Sequence, residues 1–364
     1  MEQTALRCSM MRGGTSKGLY FRAEDLPDDR PNRDAVLMAA MGSPDPRQID
    51  GVGGAHPLTS KVAVVRRSAR PDADVDYLFL QVWPDRAEVS DNQNCGNMLA
   101  GVGPFAIDEG ILPAEDGTTP VRIWMENTQT LAVAHVPTPG AHVRYSGDAR
   151  IDGVPGTHAP IPIDFLDIAG SSCGALLPTG HAVDEIEGVR VSCIDNGMPV
   201  VCLLAEDFGI TGHEEPSDLE ANKALTTKVE AIRLAAGHLM NLGDVTNNTV
   251  PKMSLLSPAR HGGLVDTRTF IPKRVHEAIG VFGAVSVATA CLVPGSVAAE
   301  LTGMGGKVGK VDLEIEHPTG FFTVTMDVSI DGSEVTVHQA ALLRTARLLM
   351  RGEVFVPGAV YSAA

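Results

Sequence analysis

The chain is written twice. Leu19-Tyr20-Phe21-Arg22-Ala23-Glu24-Asp25-Leu26 recurs as Val201-Cys202-Leu203-Leu204-Ala205-Glu206-Asp207-Phe208, each copy following a glycine-containing turn. Further on, Pro57–Val65 resembles Val250–Leu256, with Lys61 falling on Lys252 ahead of a strand. Arg122–Thr128 resembles Leu313–Thr319, with Glu126 falling on Glu316, and the apolar segment after Cys95 is matched by Gly280–Cys291. Segments that recur in one order, with a spacing that drifts by only a few residues, mark two copies of one fold. The 364 residues also exceed the roughly 250–300 at which a single core stops growing. Two domains are therefore expected, residues 1–184 and 185–364, with the last strand returning to the first. The halves should face each other about a pseudo-twofold axis, with both glycine-led helix N-termini directed into one cleft.

The local pattern is α+β. Val62–Arg66, Val75–Trp83, Leu131–His135, Val200–Ala205 and Phe322–Val328 read as strands, being β-branched or aromatic runs bounded by Pro, Gly or Asp. Met98–Ile107 and Gly283–Leu292 are apolar all round, as a helix enclosed by sheet must be; Pro104 is positioned to kink the first. Ser217-Asp218-Leu219-Glu220 reads as a capping box for an external helix running to about Ala236 and closed by Gly237.

A formal charge of −16 and the lack of any Lys/Arg cluster exclude a nucleic-acid partner. No apolar run is long enough to span a bilayer and Met1–Arg7 has no signal core, so a cytosolic protein without a membrane partner is expected. The six cysteines form no C-x-x-C pair and are read as reduced thiols; the eleven histidines show no H-x-x-x-H or H-E-x-x-H spacing, so no metal site is expected.

Chemistry concentrates in a few loops. Ser90–Asn97 strings amides and acids around Cys95 directly before an apolar helix, placing the thiol where unpaired N–H groups and the helix dipole favour an anion. A small buried thiol is the plainer alternative. Lys61 is delivered by a flexible glycine-rich loop to the start of an apolar strand: either a solvated strand-end charge or a cation turned inward, where desolvation would fit it to act as a base. Arg12–Gly18 lacks phosphate-loop spacing, so nucleotide binding is rejected there; Arg12 and Ser16 remain candidate anion contacts, with a mere tight turn as the alternative. Met198 lies in the turn Asp195–Pro199, and Arg268 is favoured over Lys273, Arg274 and His276 as a bidentate carboxylate clamp, against the plainer reading of a solvated basic face.

With these motifs in hand, the chain resembles the family of 2-methylaconitate cis-trans isomerases and 4-oxalomesaconate tautomerases. The resemblance is carried by MRGGTSKG at Met11–Gly18, MGSPDPRQIDGVGG at Met41–Gly54, LTSKVAVV at Leu58–Val65 and NQNCGNMLAGVGPFAI at Asn92–Ile107. It continues through GALLPTG at Gly174–Gly180, CIDNGMPVV at Cys193–Val201, IGVFGAVSVATAC at Ile279–Cys291, EHPTG at Glu316–Gly320 and RTARLLMRG at Arg344–Gly352. Within the family the chain looks most like the bacterial 4-oxalomesaconate tautomerases of gallate breakdown. The resemblance implies two similar diaminopimelate-epimerase-like domains, each a mixed sheet wrapped around a central apolar helix, and no cofactor or metal. It puts proton transfer on Lys61 and Cys95. It puts carboxylate binding on Ser16, Asn94, Gly96 and Asn97, with Gly283, Ala284 and Val285 at the opposing helix N-terminus.

One departure separates the chemistries. Epimerases and proline racemases of this architecture use two opposed cysteines, whereas the second-half match of Cys95 falls on or near Phe282, so racemisation is disfavoured. The expected activity is an enol-keto or allylic proton shift on a small tricarboxylate or oxo acid. The alternatives are a 2-methylaconitate or 3-methylitaconate isomerase and, in a different class, a non-catalytic carboxylate-binding protein. A homo-oligomer stays open.

Overall fold

In the computed structural model, residues 3–91, 94–166, 168–272, 274–331 and 334–361 are described. The chain divides into two compact units, Met1–Asp164 with Leu343–Ala364, and Phe165–Leu342. In the first unit β1 (Gln3–Gly13) and β2 (Ser16–Arg22) form a hairpin, followed by α1 (Arg30–Met41). Next come β3 (Lys61–Arg67), β4 (Val75–Val82), the short β5 (Val89–Ser90) and α2 (Gly96–Asp108). β6 (Gly117–Met125) and β7 (Thr130–Thr138) pair antiparallel, and β8 (Ile161–Leu166) runs across the division. The last strand of the chain, Ala346–Pro357, pairs antiparallel with β1 along its whole length.

The second unit contains β9 (Asp184–Ile186), β10 (Val189–Asp195), β11 (Pro199–Leu204), α3 (Pro216–Ala221) and α4 (Lys223–Leu239). β12 (Lys252–Pro258), β13 (Val265–Phe270), α5 (Val281–Leu292) and α6 (Val297–Thr302) follow. β14 (Gly309–His317), β15 (Gly320–Asp331) and β16 (Glu334–Arg344) complete it.

The two units repeat one pairing scheme. β1–β2 is antiparallel, β2–β3 parallel, β3–β4 antiparallel, β4–β6 parallel and β6–β7 antiparallel. β10–β11, β11–β12, β12–β13, β13–β14 and β14–β15 follow the same sequence of directions. Gly18 pairs with Lys61 in one unit and Val200 with Lys252 in the other, so the lysines matched in the sequence hold matching positions in the sheets.

Each sheet is buried on both faces, which is why its central strands are apolar without alternation. In the first unit Leu19, Phe21, Val62 and Leu80 face α1, while α2, buried along nearly its full length, packs on β1, β2 and β3. In the second, Val201, Leu203, Met253 and Leu255 pack with α4 residues Leu225, Val229 and Ile232, and the fully buried α5 packs on β10 and β11. The five expected strands fall within β3, β4, β7, β11 and β15, except that Val75–Trp83 and Val200–Ala205 each overrun by one residue. α2 runs on through Pro104 without interruption. Among the described residues no helix is long and apolar enough to cross a membrane.

Two details differ from expectation. The units divide at Asp164/Phe165 rather than at 184 because the intervening turn is tied to β10: Gly170 N–H donates to the Asp195 carbonyl, and Ser172 and Cys173 N–H both donate to the Asp195 carboxylate at 2.7 Å. The external helix is two helices, because Asn222 stops α3 and its side chain caps α4 by accepting from Leu225 N–H. Glu220, read as part of a capping box, instead accepts from Val275 N–H and Arg274. Gly237 lies inside α4, where a Cβ would stand 2.5 Å from Val245.

Lys252 carries a stability consequence. Burial, and then the charge of Arg233, bring its ammonium down to about 8 from an ordinary 10.5. Below about pH 8 both folded and unfolded chains are charged and the fold bears the whole desolvation penalty; between 8 and 10.5 the folded chain sheds the proton first, and the penalty disappears. Lys252→Met is therefore expected to stabilise the protein by about 2 kcal/mol at pH 7, with the gain in denaturation midpoint shrinking as the pH is raised to 10. An equal or lower midpoint at pH 7 would contradict this.

Candidate active site

Lys61 opens β3 between Gly18 of β2 and Gln81 of β4. Successive strand residues face opposite sides; Val62 points to the α1 core, so Lys61 points to α2. There its Nζ lies 3.4 Å from Cys95 Sγ and 5.1 Å from the centre of the Phe79 ring. Both residues are buried, Lys61 at 7% exposure and Cys95 at 8%. A lysine this enclosed next to a thiol is not a solvated strand-end charge.

Cys95 is the N-cap of α2, and its carbonyl accepts from Leu99 N–H. The N–H groups of Gly96, Asn97 and Met98 have no intrahelical acceptor by helix geometry, so they and the dipole offer an anion site beside the thiol. Two buried tyrosines fix this end of the helix: Tyr77 Oη donates to the Cys95 carbonyl at 3.3 Å and Tyr20 Oη to the Met98 carbonyl at 2.5 Å. Burial first, and then the charge of Cys95, hold both phenols well above their ordinary pKa, so they stay neutral donors.

The glycines of the Met11–Gly18 motif allow the β1–β2 hairpin to close on this helix end. A Cβ on Gly13 would stand 2.3 Å from the Asn97 carbonyl oxygen and one on Gly18 2.0 Å from the Lys61 carbonyl oxygen. Gly14 has φ +51 and lies against the Asn97 side chain, whose Nδ2 donates to Thr15 Oγ1. Ser16 lies on the same face as Gly18, 1% exposed, and its hydroxyl has no partner among the described residues.

The long loop before Lys61 is held by Gln48, whose Nε2 donates to Ser60 Oγ at 2.7 Å while its Oε1 accepts from Ala55 N–H. Ser60 Oγ in turn donates to the Val82 carbonyl, and Gln81 Nε2 donates to the Ser60 carbonyl. Gln48→Ala removes this brace and leaves buried groups unpaired, at about 2 kcal/mol. We expect a lower melting temperature together with a roughly tenfold fall in kcat as Lys61 loses its placement. A variant of unchanged kcat would show that the loop does not hold the lysine.

The sequence reading missed two residues, one ending β16 and the next just after it. Arg344 is 7% exposed; burial brings its guanidinium down to about 9, and the charge of Cys95 pulls it back up. It is a buried cation within electrostatic reach of the thiol. Thr345 accepts from Arg12 Nη1 through both its carbonyl and its Oγ1, and its carbonyl also accepts from Gly14 N–H. A charge directly ending the apolar run Ala340–Leu343 was the available signal.

Other expected contacts are placed differently. Arg12 pairs with Lys17, and Lys17 precedes Gly18, so Arg12 projects to the sheet face opposite Lys61. The Asn94 carboxamide is engaged by Cys95 N–H and Met125 Sδ. Asn92, Gln93 and Lys273 lie outside the described residues. Arg268, 4% exposed, is committed to Asp266 at 2.8 Å and to the Glu214 and Thr267 carbonyls, which makes it a structural ion pair rather than a free clamp. Arg274 is paired with Glu220.

In the second unit the N-cap of α5 is Gly280, two residues before the expected Phe282. Ala284 N–H is used by the Gly280 carbonyl, so the amides without an intrahelical acceptor are those of Val281, Phe282 and Gly283, not Ala284 and Val285. The Asn196–Met198 turn docks on this helix through Ser286, whose Oγ donates to the Met198 carbonyl and accepts from Asn196 N–H. No thiol stands at the position that Cys95 holds on α2.

The solved structure of a methylitaconate delta-isomerase matches this chain with a TM-score of 0.86 at 34% identity, covering 100% of this chain and 98% of that one. A hydroxyproline epimerase from Agrobacterium vitis matches with a TM-score of 0.55 at 14% identity, over 97% of this chain and 93% of its own, and so shares the epimerase-like fold. A Novosphingobium protein named (4E)-oxalomesaconate Delta-isomerase is 62% identical over 349 residues, 96% of this chain and 97% of that protein. A Pseudomonas putida protein named 4-oxalomesaconate tautomerase is 59% identical over 356 residues, 98% of this chain and 97% of that protein. Residues 3–357 match the family described as PrpF protein, and the chain belongs to that family.

Proposed function

We propose that this protein is a cytosolic, cofactor-independent tautomerase that shifts one proton within 4-oxalomesaconate, in gallate-type aromatic breakdown. The observation that carries the reading is the buried Lys61–Cys95 contact of 3.4 Å at the N-cap of α2. The names of the two relatives near 60% identity supply the substrate.

The chemistry follows from the geometry. Lys61 takes a proton from the substrate next to its conjugated carbonyl and carboxylate groups, and the electron pair delocalises into a dienolate. The Gly96, Asn97 and Met98 amides and the Arg344 guanidinium stabilise the negative charge that develops, with the Ser16 hydroxyl as a further donor. The Cys95 thiol delivers a proton to the other end of the conjugated system, and the Lys61 ammonium reprotonates the thiolate across their contact. Both residues return to their starting state. One proton has moved and no electrons have left, so neither oxidant nor reductant is consumed.

Ultraviolet-monitored turnover of 4-oxalomesaconate beside 2-methylaconitate tests the substrate. Strong preference for the first is expected; preference for the second would retain the site and overturn the assignment.

A further inference from the structure

A second polar site lies on the other face of the first unit's sheet. Arg347 pairs with Arg12 and Arg12 with Lys17, so three cations stand side by side on three adjacent strands. Like charges directly opposite one another destabilise a sheet. No carboxylate lies within ion-pair distance of any of the three among the described residues, although the chain carries a net charge of −16. They open into a cavity of about 310 Å³ whose lining also includes Thr15, Ser16, Thr59 and His158 and no acidic side chain. Val154, Pro155 and Leu349 supply an apolar wall. Arg12 Nη2 is buried without a partner, although Nη1 is fully used by Gly14 and Thr345.

We propose that this cavity, which reaches Ser16 but is lined by neither Lys61 nor Cys95, binds a small multicarboxylate anion. Three neighbouring strands set their side chains over about 10 Å, a spacing that suits carboxylates spread along a carbon chain better than one compact phosphate. The apolar wall fits that carbon chain. Burial depresses Arg12 and His158, and the charge of Arg347 pushes both further down, a strain that a bound anion relieves. The two sites share the Gly13–Ser16 turn, whose Asn97 contacts border the α2 N-terminus, so occupancy of one is placed to influence the other.

Equilibrium dialysis of the full chain with radiolabelled citrate tests this. Lys17→Met/Arg347→Met is expected to weaken citrate binding by about tenfold or more, while kcat and KM for the isomerised acid stay within about twofold. Lys17→Met alone, which breaks no side-chain hydrogen bond among the described residues, is expected to lose about threefold and keeps the test readable should the double variant misfold. Unchanged citrate affinity in both variants would overturn the site. A KM rising in step with the loss of citrate would make it part of the substrate pocket, against the proposal. Inorganic phosphate binding as tightly as citrate would overturn the ligand class.

Discussion

Lys61→Ala is expected to lower kcat by about a thousandfold, the scale on which a positioned general base contributes, with KM changed little. The Lys61 side chain is held in a dry site, over Phe79 and against Cys95, so nothing in the described surroundings replaces it. Steady-state kinetics on a variant of unchanged melting temperature reads this directly, and a fall of less than about tenfold would remove Lys61 from the proton transfer. Cys95→Ser is the companion measurement. A hydroxyl is a far weaker acid than a thiol, so a loss of about a hundredfold is expected if the thiol returns the proton. Near wild-type turnover would reduce Cys95 to a residue that holds the lysine.

The second large effect is expected from a residue with no side chain. Gly18→Ala places a Cβ 2.0 Å from the Lys61 carbonyl oxygen and 2.9 Å from Met98 Cε, so β2 and β3 must separate at the point where the lysine is anchored. Overpacking of this kind costs about 3 kcal/mol, and because the clash lies on the Lys61 backbone, turnover should fall with stability. Thermal denaturation and kcat measured on the same preparation check both parts. A variant with wild-type melting temperature would show that the β2–β3 contact is looser than the structure has it.

Much of this architecture could be read from residues alone, where local pattern and local structure share a cause. The repeat announced itself because Lys61 and Lys252 hold matching sheet positions, and the two enclosed helices because a helix packed on several strands can carry no polar stripe. The return of the last strand to the first domain was expected, but its pairing with β1 had no such signal. That strand is largely exposed and joins residues more than 330 positions apart, so neither periodicity nor local propensity reports it. The break at Asn222 was hidden because Glu220, placed as a capping residue should be, serves β13's following turn instead.

At the site, Lys61 and Cys95 stood out as candidates, since a lysine starting an apolar strand and a thiol before an apolar helix are both unusual. Arg344 and Gln48 were not singled out: Gln48 meets Ala55 and Ser60 only once their shared loop has folded, and Arg344 comes near Cys95 only through the tertiary fold. Arg268 was misread although a local signal existed: Asp266 lies two residues earlier on the same strand, hence on the same face, and is the natural partner for its guanidinium.

The most direct test of the account is the isomerisation of 4-oxalomesaconate run by the wild-type enzyme in deuterium oxide, with the product read by NMR. Proton removal by Lys61 and return by the exchangeable Cys95 thiol predict solvent deuterium at the carbon that gains hydrogen, approaching one deuteron per turnover. Complete retention of the substrate's own proton at that carbon would contradict it, because the proton would then have been carried across by a single residue that never exchanged with solvent.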